Sequence, residues 1–417
     1  MSAARADAPR VAIDGALIER LLIEMSEHGT DGGTGVARTV YSPEWVSALE
    51  TYQGWCREAG LDSRLDAVGN VWATLPGTES GPSVVTGSHV DTQVPGGRYD
   101  GTLGWLAGFV ALTALRDQFG APKRTLEAVG FCEEESSRFP ANFWGSRAVT
   151  GAINPEEPGT LLGLDNLTIG EAMLEVGLAP DRIAEASRED IDAFVELHIE
   201  QGPILEAADE PVGIVTGITG LRHYRVVLQG TANHAGAFPM DLRRDPMVGF
   251  AALVTELTRT TRELGRPAVT TIGRATVEPN AAAIIADRVE FVLDVRHPDP
   301  EAYPRLLAMH EDTMRRVAAE QGLGISWQVI ADHAPVPSDP GLLAELDAAA
   351  AELGRTVPRL PSGAGHDSQQ MAERSRVAMV FVRSRDGRSH TPEEFSSTED
   401  IVAGIQLLAQ ALHRLCY

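Results

Sequence analysis

Apolar residues along the chain fall into helix-like and strand-like spacings that alternate in blocks. Leu17, Leu21, Leu22 and Met25 share one face of Gly15–Met25, and Asp14 stands where a cap would be. A strand-and-turn region, Leu65–Leu75, is built around the turn-forming pair Gly69-Asn70. Ser83–Thr86 reads as a short buried strand running into Gly87-Ser88-His89, and Leu103–Leu115 as a buried helix. Leu126–Phe131 is a second apolar strand, followed at once by three glutamates. This alternation predicts an α/β fold with a mostly parallel sheet.

The texture changes near Val212. Arg225–Gln229 reads as a strand, Pro246–Leu264 as a helix, Thr270–Val277 and Arg288–Asp294 as strands, and Tyr303–Gln321 as a helix, with strand returning at Val329. That order is the split βαβ pattern of a ferredoxin-like α+β sandwich. The helix Leu342–Leu353 and the strand Ala378–Val382 resume the first style. Two domains are expected: an α/β domain from residues 1–213 and 334–417, and an inserted sandwich over residues 214–333.

A chain of 417 residues is long enough for two cores. With 35 basic and 59 acidic residues the net charge is −24, which argues against nucleic-acid and membrane-surface partners. Cys56, Cys132 and Cys416 lie far apart, so no disulfide framework is expected. With no signal-like start and no apolar run of membrane length, the expectation is a soluble cytoplasmic protein.

Four separated segments carry metal-competent side chains after apolar strands or in glycine-rich loops. They are Gly87-Ser88-His89-Val90-Asp91 with Asp100 eleven residues past His89, Glu133-Glu134-Glu135, Glu196-Leu197-His198-Ile199-Glu200-Gln201, and Ser389-His390-Thr391-Pro392-Glu393-Glu394. One histidine after a strand is more often structural, and a glutamate run is usually a solvated face. The cluster carries the reading, because imidazoles and carboxylates at strand ends suit zinc or manganese.

Seven ordered stretches between residues 87 and 395 resemble the amidase, hydantoinase and carbamoylase branch of the aminoacylase-like dinuclear metallopeptidases. They are GSHVDTQVPGGRYDG, FCEEESSRFPANFWGS, ELHIEQGPILE, ANHAGAFPM, DVRHPD, SGAGHDS and SHTPEEF. The resemblance implies two divalent metal ions per subunit, zinc or manganese, with cobalt or nickel also suited to the ligands. His89, Asp100 and His198 would hold one, and Asp100, Glu135 and His390 the other. Glu134 would be the general base, and Asp91 would orient the His89 imidazole or tune the base.

In the inserted domain, read as a lid and dimerisation domain, His234 would stabilise the oxyanion and Arg296 would grip a substrate carboxylate. A surface salt bridge is the competing reading for Arg296. Gln201 and the loop at Gly365 would touch substrate; for His366 a plain turn competes. The family usually reads Pro-Asn-x-x-Asn where this chain has Pro279-Asn280-Ala281-Ala282-Ala283. Ala283 thus replaces a substrate-contacting amide, which Asn280 would have to supply.

The implied activity is hydrolysis of an N-carbamoyl amino acid or an analogue such as allantoate, a small-molecule substrate, by a homodimer. The rival readings are an N-acyl-amino-acid amidohydrolase or dipeptidase on the same site, and a non-catalytic binding protein. Met240 and Phe238, beside His234, read as ordinary core.

Overall fold

The computed structural model describes residues 9–30 and 32–417. Its first strands in chain order are β1 (Asp62–Leu65), β2 (Val71–Leu75), β3 (Ser83–His89), β4 (Leu126–Phe131), β5 (Ile191–Ile199) and β6 (Val212–Ile218). Then come β7 (Gly220–Gln229), β8 (Asn233–His234), β9 (Val269–Glu278), β10 (Ile284–Ile285), β11 (Arg288–His297) and β12 (Gly324–His333). The last are β13 (Val336–Pro337), β14 (Arg359–Ser362) and β15 (Arg376–Val382).

The chain forms two compact units. One comprises the residues up to Thr216 with Ser338–Leu360 and Gly365–Tyr417; the other comprises Gly217–Pro337 with Pro361–Ala364. The sequence-based boundary at 213/214 falls inside β6. Only Thr219 separates that strand from β7, so no polar linker marks the passage.

The main sheet runs β1-β2-β4-β3-β5-β15-β6-β13, with β14 also on β6. Its four central strands, β4, β3, β5 and β15, are parallel, and antiparallel strands flank them on both sides. Every residue of β3 and β4 is buried. That is why these strands read as continuous apolar runs without alternation. The helix Thr102–Phe119 packs on β3, β4 and β5 and is buried around most of its circumference. Gly104 permits this approach: a Cβ there would lie 2.1 Å from the Leu197 carbonyl oxygen of β5.

Two long helices, Pro43–Ala59 and Thr398–Cys416, lie outside the predicted set. Both carry ordinary start signals, with Ser42 and Ser397 capping the first turns through their hydroxyls. Helix Pro43–Ala59 buries Trp45, Ala48, Leu49, Tyr52 and Cys56, a helical stripe against the core.

The second unit has its own core around Tyr224, Phe291, Leu293 and Met314. Its antiparallel sheet runs β12-β7-β11-β9, and helices Pro246–Leu264 and Ala302–Glu320 pack on it and on each other. The order β-α-β-β-α-β is the split βαβ pattern expected from the spacing. Strand β11 alternates buried Val289, Phe291, Leu293 and Val295 with half-buried positions that are polar except for Val292, as a one-sided sheet requires. Among the described residues no helix is long and apolar enough to cross a membrane. The three cysteines are buried and unpaired.

Candidate metal centre

The parallel strands bring the expected ligands to one edge of the sheet. β3 ends at His89 and pairs with Phe131 at the end of β4, so Glu133–Glu135 emerge beside it. His198 lies near the end of β5, opposite Phe381 of β15, and His390 follows in the loop after that strand. Residues with ligand chemistry therefore gather at the carboxyl ends of strands, where parallel sheets leave a crevice.

Asp100 is the hub. Its Oδ1 lies 3.5 Å from His89 Nε2 and 3.1 Å from His198 Nε2, and its Oδ2 lies 3.3 Å from His390 Nε2. Glu135 Oε1 lies 3.6 Å from His390 Nε2. The sets His89–Asp100–His198 and Asp100–Glu135–His390 are thus each close enough to share an ion.

Tautomers sharpen the fit. His89 Nδ1 is 2.9 Å from the Asp91 carbonyl oxygen, and His198 Nδ1 is 2.9 Å from the Ile199 carbonyl oxygen. A carbonyl only accepts, so each Nδ1 donates, and each Nε2 of a neutral ring turns a lone pair toward the Asp100 carboxylate. Two lone pairs face to face repel unless a proton or a cation intervenes. Asp100 Oδ1 and Glu135 Oε1 are buried and have no hydrogen-bond partner. A four-coordinate cation with bonds of about 2.0–2.1 Å would set its ligand atoms about 3.3 Å apart, close to the spacing seen. The donor set fits divalent cations.

Electrostatics follow the same geometry. Although burial opposes ionisation, His198, His390 and His89 hold the Asp100 carboxyl well below the usual range. Burial also pulls His198 down, but Asp100 leaves it raised. His390, half exposed, is pushed up to about 9 by its contact with Asp100. Burial pushes Glu134 well above the ordinary carboxylate range, with Glu135, Asp367 and Asp91 adding to the effect and His89 opposing it. Glu134 Oε2 sits 4.0 Å from His89 Nε2.

Asp91 does not orient the His89 ring with its carboxylate; its backbone carbonyl does that. The carboxylate oxygens instead accept the amides of Glu134 and Glu135, at 3.1 Å each. Glu133 points elsewhere, its Oε1 accepting the amides of Arg138 and Phe139. Gln201 donates its side-chain amide to Asp100 Oδ2 at 2.8 Å. Gly365 is half-buried and leads into His366, whose buried ring packs edge-on against His198 at 4.6 Å. His366 is therefore more than a turn residue. The neighbouring Glu196 is an unpromising ligand, because Ser88 Oγ and the Ser368 amide and hydroxyl already donate to it.

His234, Asn280 and Arg296 belong to the second unit. His234 is exposed, and its Nδ1 accepts the amides of Gly236 and Ala237 at 3.0 and 3.1 Å, so Nε2 carries the hydrogen. Arg296 donates to Asp294 from Nε and Nη2 and to the Gly363 carbonyl from Nη1. The salt-bridge reading thus describes its contacts, with part of the guanidinium fork uncommitted. Asn280 is exposed with φ 55°, and the Ala283 carbonyl accepts the Ala235 amide at 2.9 Å, tying that segment to the turn after His234. Met240 is 72% exposed and is not core.

Sequence reasoning placed Glu394 in the fourth segment but gave it no role, and it missed Arg38. Glu394 is buried and accepts the Tyr99 and Asp100 amides at 2.8 and 2.9 Å, while Ser389 Oγ donates to Asp100 Oδ2 at 2.7 Å. The segment shared with His390 pointed to Glu394, but nothing local showed that it would hold the Asp100 loop. Arg38 stands in a glycine-rich loop with no periodicity and gave no local signal.

Residues 84–414 match the family described as Peptidase family M20/M25/M40. The allantoate amidohydrolase of Bacillus subtilis is 39% identical over 397 residues, covering 94% of this chain and 96% of its own. The N-carbamoyl-L-amino-acid amidohydrolase of a Pseudomonas species is 38% identical over 405 residues, covering 94% and 97%. A crystal structure of an amidase of the hydantoinase/carbamoylase family from Burkholderia multivorans superposes with a TM-score of 0.91 at 33% identity, covering 97% and 98%. With this agreement along nearly its whole length, the chain belongs to peptidase family M20/M25/M40, in its amidase, hydantoinase and carbamoylase branch, and is a hydrolase of C–N bonds other than peptide bonds.

Proposed function

We propose that the protein hydrolyses the ureido C–N bond of an N-carbamoyl amino acid or a close analogue such as allantoate. The observation that carries the reading is the convergence of three imidazole Nε2 atoms on the two oxygens of Asp100. Two divalent cations held by His89, Asp100, His198, Glu135 and His390 would polarise the substrate carbonyl and acidify a water between them. Glu134 takes the proton of the attacking water and delivers it to the departing nitrogen. A carboxyl already raised by burial suits both halves of that task. Asp91 aims Glu134 through the main chain, and Gln201 and Ser389 steady Asp100.

The resemblance assigns the oxyanion contact to His234, whose protonated Nε2 is a suitable donor, and the substrate carboxylate to Arg296. It also assigns a lid and dimerisation role to the second unit, in a homodimer. Hydrolysis of a carbamoyl group releases ammonia, carbon dioxide and the amino acid.

Ala283 supports a second reading, an N-acyl-amino-acid amidohydrolase, because a methyl group replaces the amide expected beside the His234 segment. The test is product release by chelated protein reloaded with manganese or zinc, on matched N-carbamoyl, N-formyl and N-acyl amino acids and allantoate. Ammonia from the ureido compounds alone supports the first reading. Carboxylic acid from the acyl compounds, with no ammonia, replaces it with the second.

A further inference from the structure

Arg38 is among the largest fully buried side chains of the protein, with 1% of its surface exposed. Its guanidinium spreads over three segments. Nε donates to the Val90 carbonyl at 2.8 Å, and Nη1 to the carbonyls of Met25 and His28 at 3.0 and 3.2 Å. Nη2 donates to the Thr102 hydroxyl at 2.6 Å. Its main chain pairs with Thr92, the Arg38 amide donating to Thr92 Oγ1 and the Thr92 amide to the Arg38 carbonyl.

These acceptors bracket the metal-bearing loop. Val90 follows His89 directly, and Thr102, whose amide donates to the Asp100 carbonyl at 2.6 Å, opens the helix just beyond Asp100. The same stretch reaches the fourth ligand segment, where the Thr34 hydroxyl donates to the Pro392 carbonyl at 2.5 Å. The loop has little slack. Gly101 has φ 62°, and a Cβ there would lie 2.3 Å from the His89 ring.

Burying a guanidinium costs several kcal/mol of desolvation, which an apolar side chain of similar volume avoids. Burial pulls Arg38 down to about 10, with Asp91 opposing, so it is cationic at neutral pH. A charge kept at that cost, with its side-chain hydrogen bonds running to uncharged oxygens of three elements, is suited to fixing distances. Lysine, a point donor on a flexible stem, cannot span them.

We propose that Arg38 is a positioning residue for the metal centre, its guanidinium setting the separation between the His89 end of β3 and Asp100. This rests on the metal-dependent reading above, and the experiment separates the two. Metal dissociation constants are measured on the full chain by zinc competition with a chromophoric chelator, for the parent, Arg38→Lys and Thr102→Val. Both variants are expected to bind zinc about 10–100-fold more weakly, as when other groups that orient metal ligands are altered. Their cobalt-loaded visible spectra are expected to shift as well. Thr102→Val removes only the hydroxyl that Arg38 holds, so it decides the matter should Arg38→Lys fail to fold. A Thr102→Val affinity within about twofold of the parent would overturn the positioning role alone. A parent that takes up no zinc overturns the proposed function, and this role with it.

Discussion

Asp91 governs Glu134 without touching its side chain. The Asp91 Oδ1 accepts the Glu134 amide at 3.1 Å, and Oδ2 accepts the next amide along. The end of β3 is thereby stitched to the loop after β4, and the direction in which Glu134 leaves the main chain is fixed. One residue so joins two tasks, since its carbonyl also sets the His89 tautomer.

Asp91→Asn keeps the shape and replaces one acceptor oxygen by a donor facing an amide N–H. One of the two stitches is lost and Glu134 is misaimed. The expected result is a kcat about 10–100-fold lower with metal content unchanged, by analogy with other supporting residues of metal sites. Steady-state kinetics alongside metal analysis check it; an unchanged kcat would remove Asp91 from this role.

Glu134→Gln tests the base itself. Glu134 lies outside the two triads that share Asp100, although it also comes within reach of an ion beside His89 and Glu135; the amide keeps an oxygen there, so metal occupancy should stay intact. Turnover should fall by about two to four orders of magnitude, the usual contribution of a positioned acid–base group. Stoichiometric metal with unaltered turnover would exclude Glu134 as the base.

The metal-free protein should show a pH signature of the cluster. His390 is raised from 6.5 to about 9 by Asp100, and His89 and His198 are raised against their burial by the same carboxylate. A folded-state value above the unfolded one stabilises fully below pH 6.5 and is lost as pH climbs toward 9. Thermal unfolding of metal-free protein should therefore drop across that window, while metal-loaded protein should not follow it. Metal binding within the window should release protons, raising affinity by about tenfold per pH unit for each proton displaced. Calorimetry in buffers of different ionisation enthalpy counts those protons, and a count of zero would contradict the arrangement.

Much of this was legible in the sequence because it is local. The apolar runs of β3 and β4 announce strands buried on both faces, and the candidate ligands sit at their ends or just beyond them in the chain. The 3.6-residue spacing of Pro246–Leu264 placed that helix to the residue. What was not legible depends on contacts far apart in sequence. Arg38 reaches 64 residues to Thr102, and Glu394 reaches 294 residues to the Asp100 amide. A charged residue in a glycine-rich loop looks solvated until the fold closes over it. The edge of the second unit is hard to read for a related reason: β6 passes into β7 across Thr219 alone, with no linker, and Pro361–Ala364 returns to that unit, where Arg296 holds the Gly363 carbonyl.

The second unit contains an acid-sensitive group of its own. His310 is buried in helix Ala302–Glu320, with Nε2 2.8 Å from the Thr270 hydroxyl and Nδ1 without a partner. Burial pulls its value from 6.5 down to about 4. The folded state thus keeps the ring neutral while the unfolded chain takes up a proton below pH 6.5. Stability is full above that pH and is lost as pH falls toward 4, by roughly 3 kcal/mol across the window at 1.36 kcal/mol per unit. His310→Gln retains a polar partner for Thr270 and cannot titrate. Scanning calorimetry of the full chain should show an unfolding transition whose midpoint falls between pH 6.5 and 4 in the parent and falls less steeply in the variant. Identical slopes in the two proteins would mean that His310 takes up its proton in the folded state without cost, against its burial and its empty Nδ1.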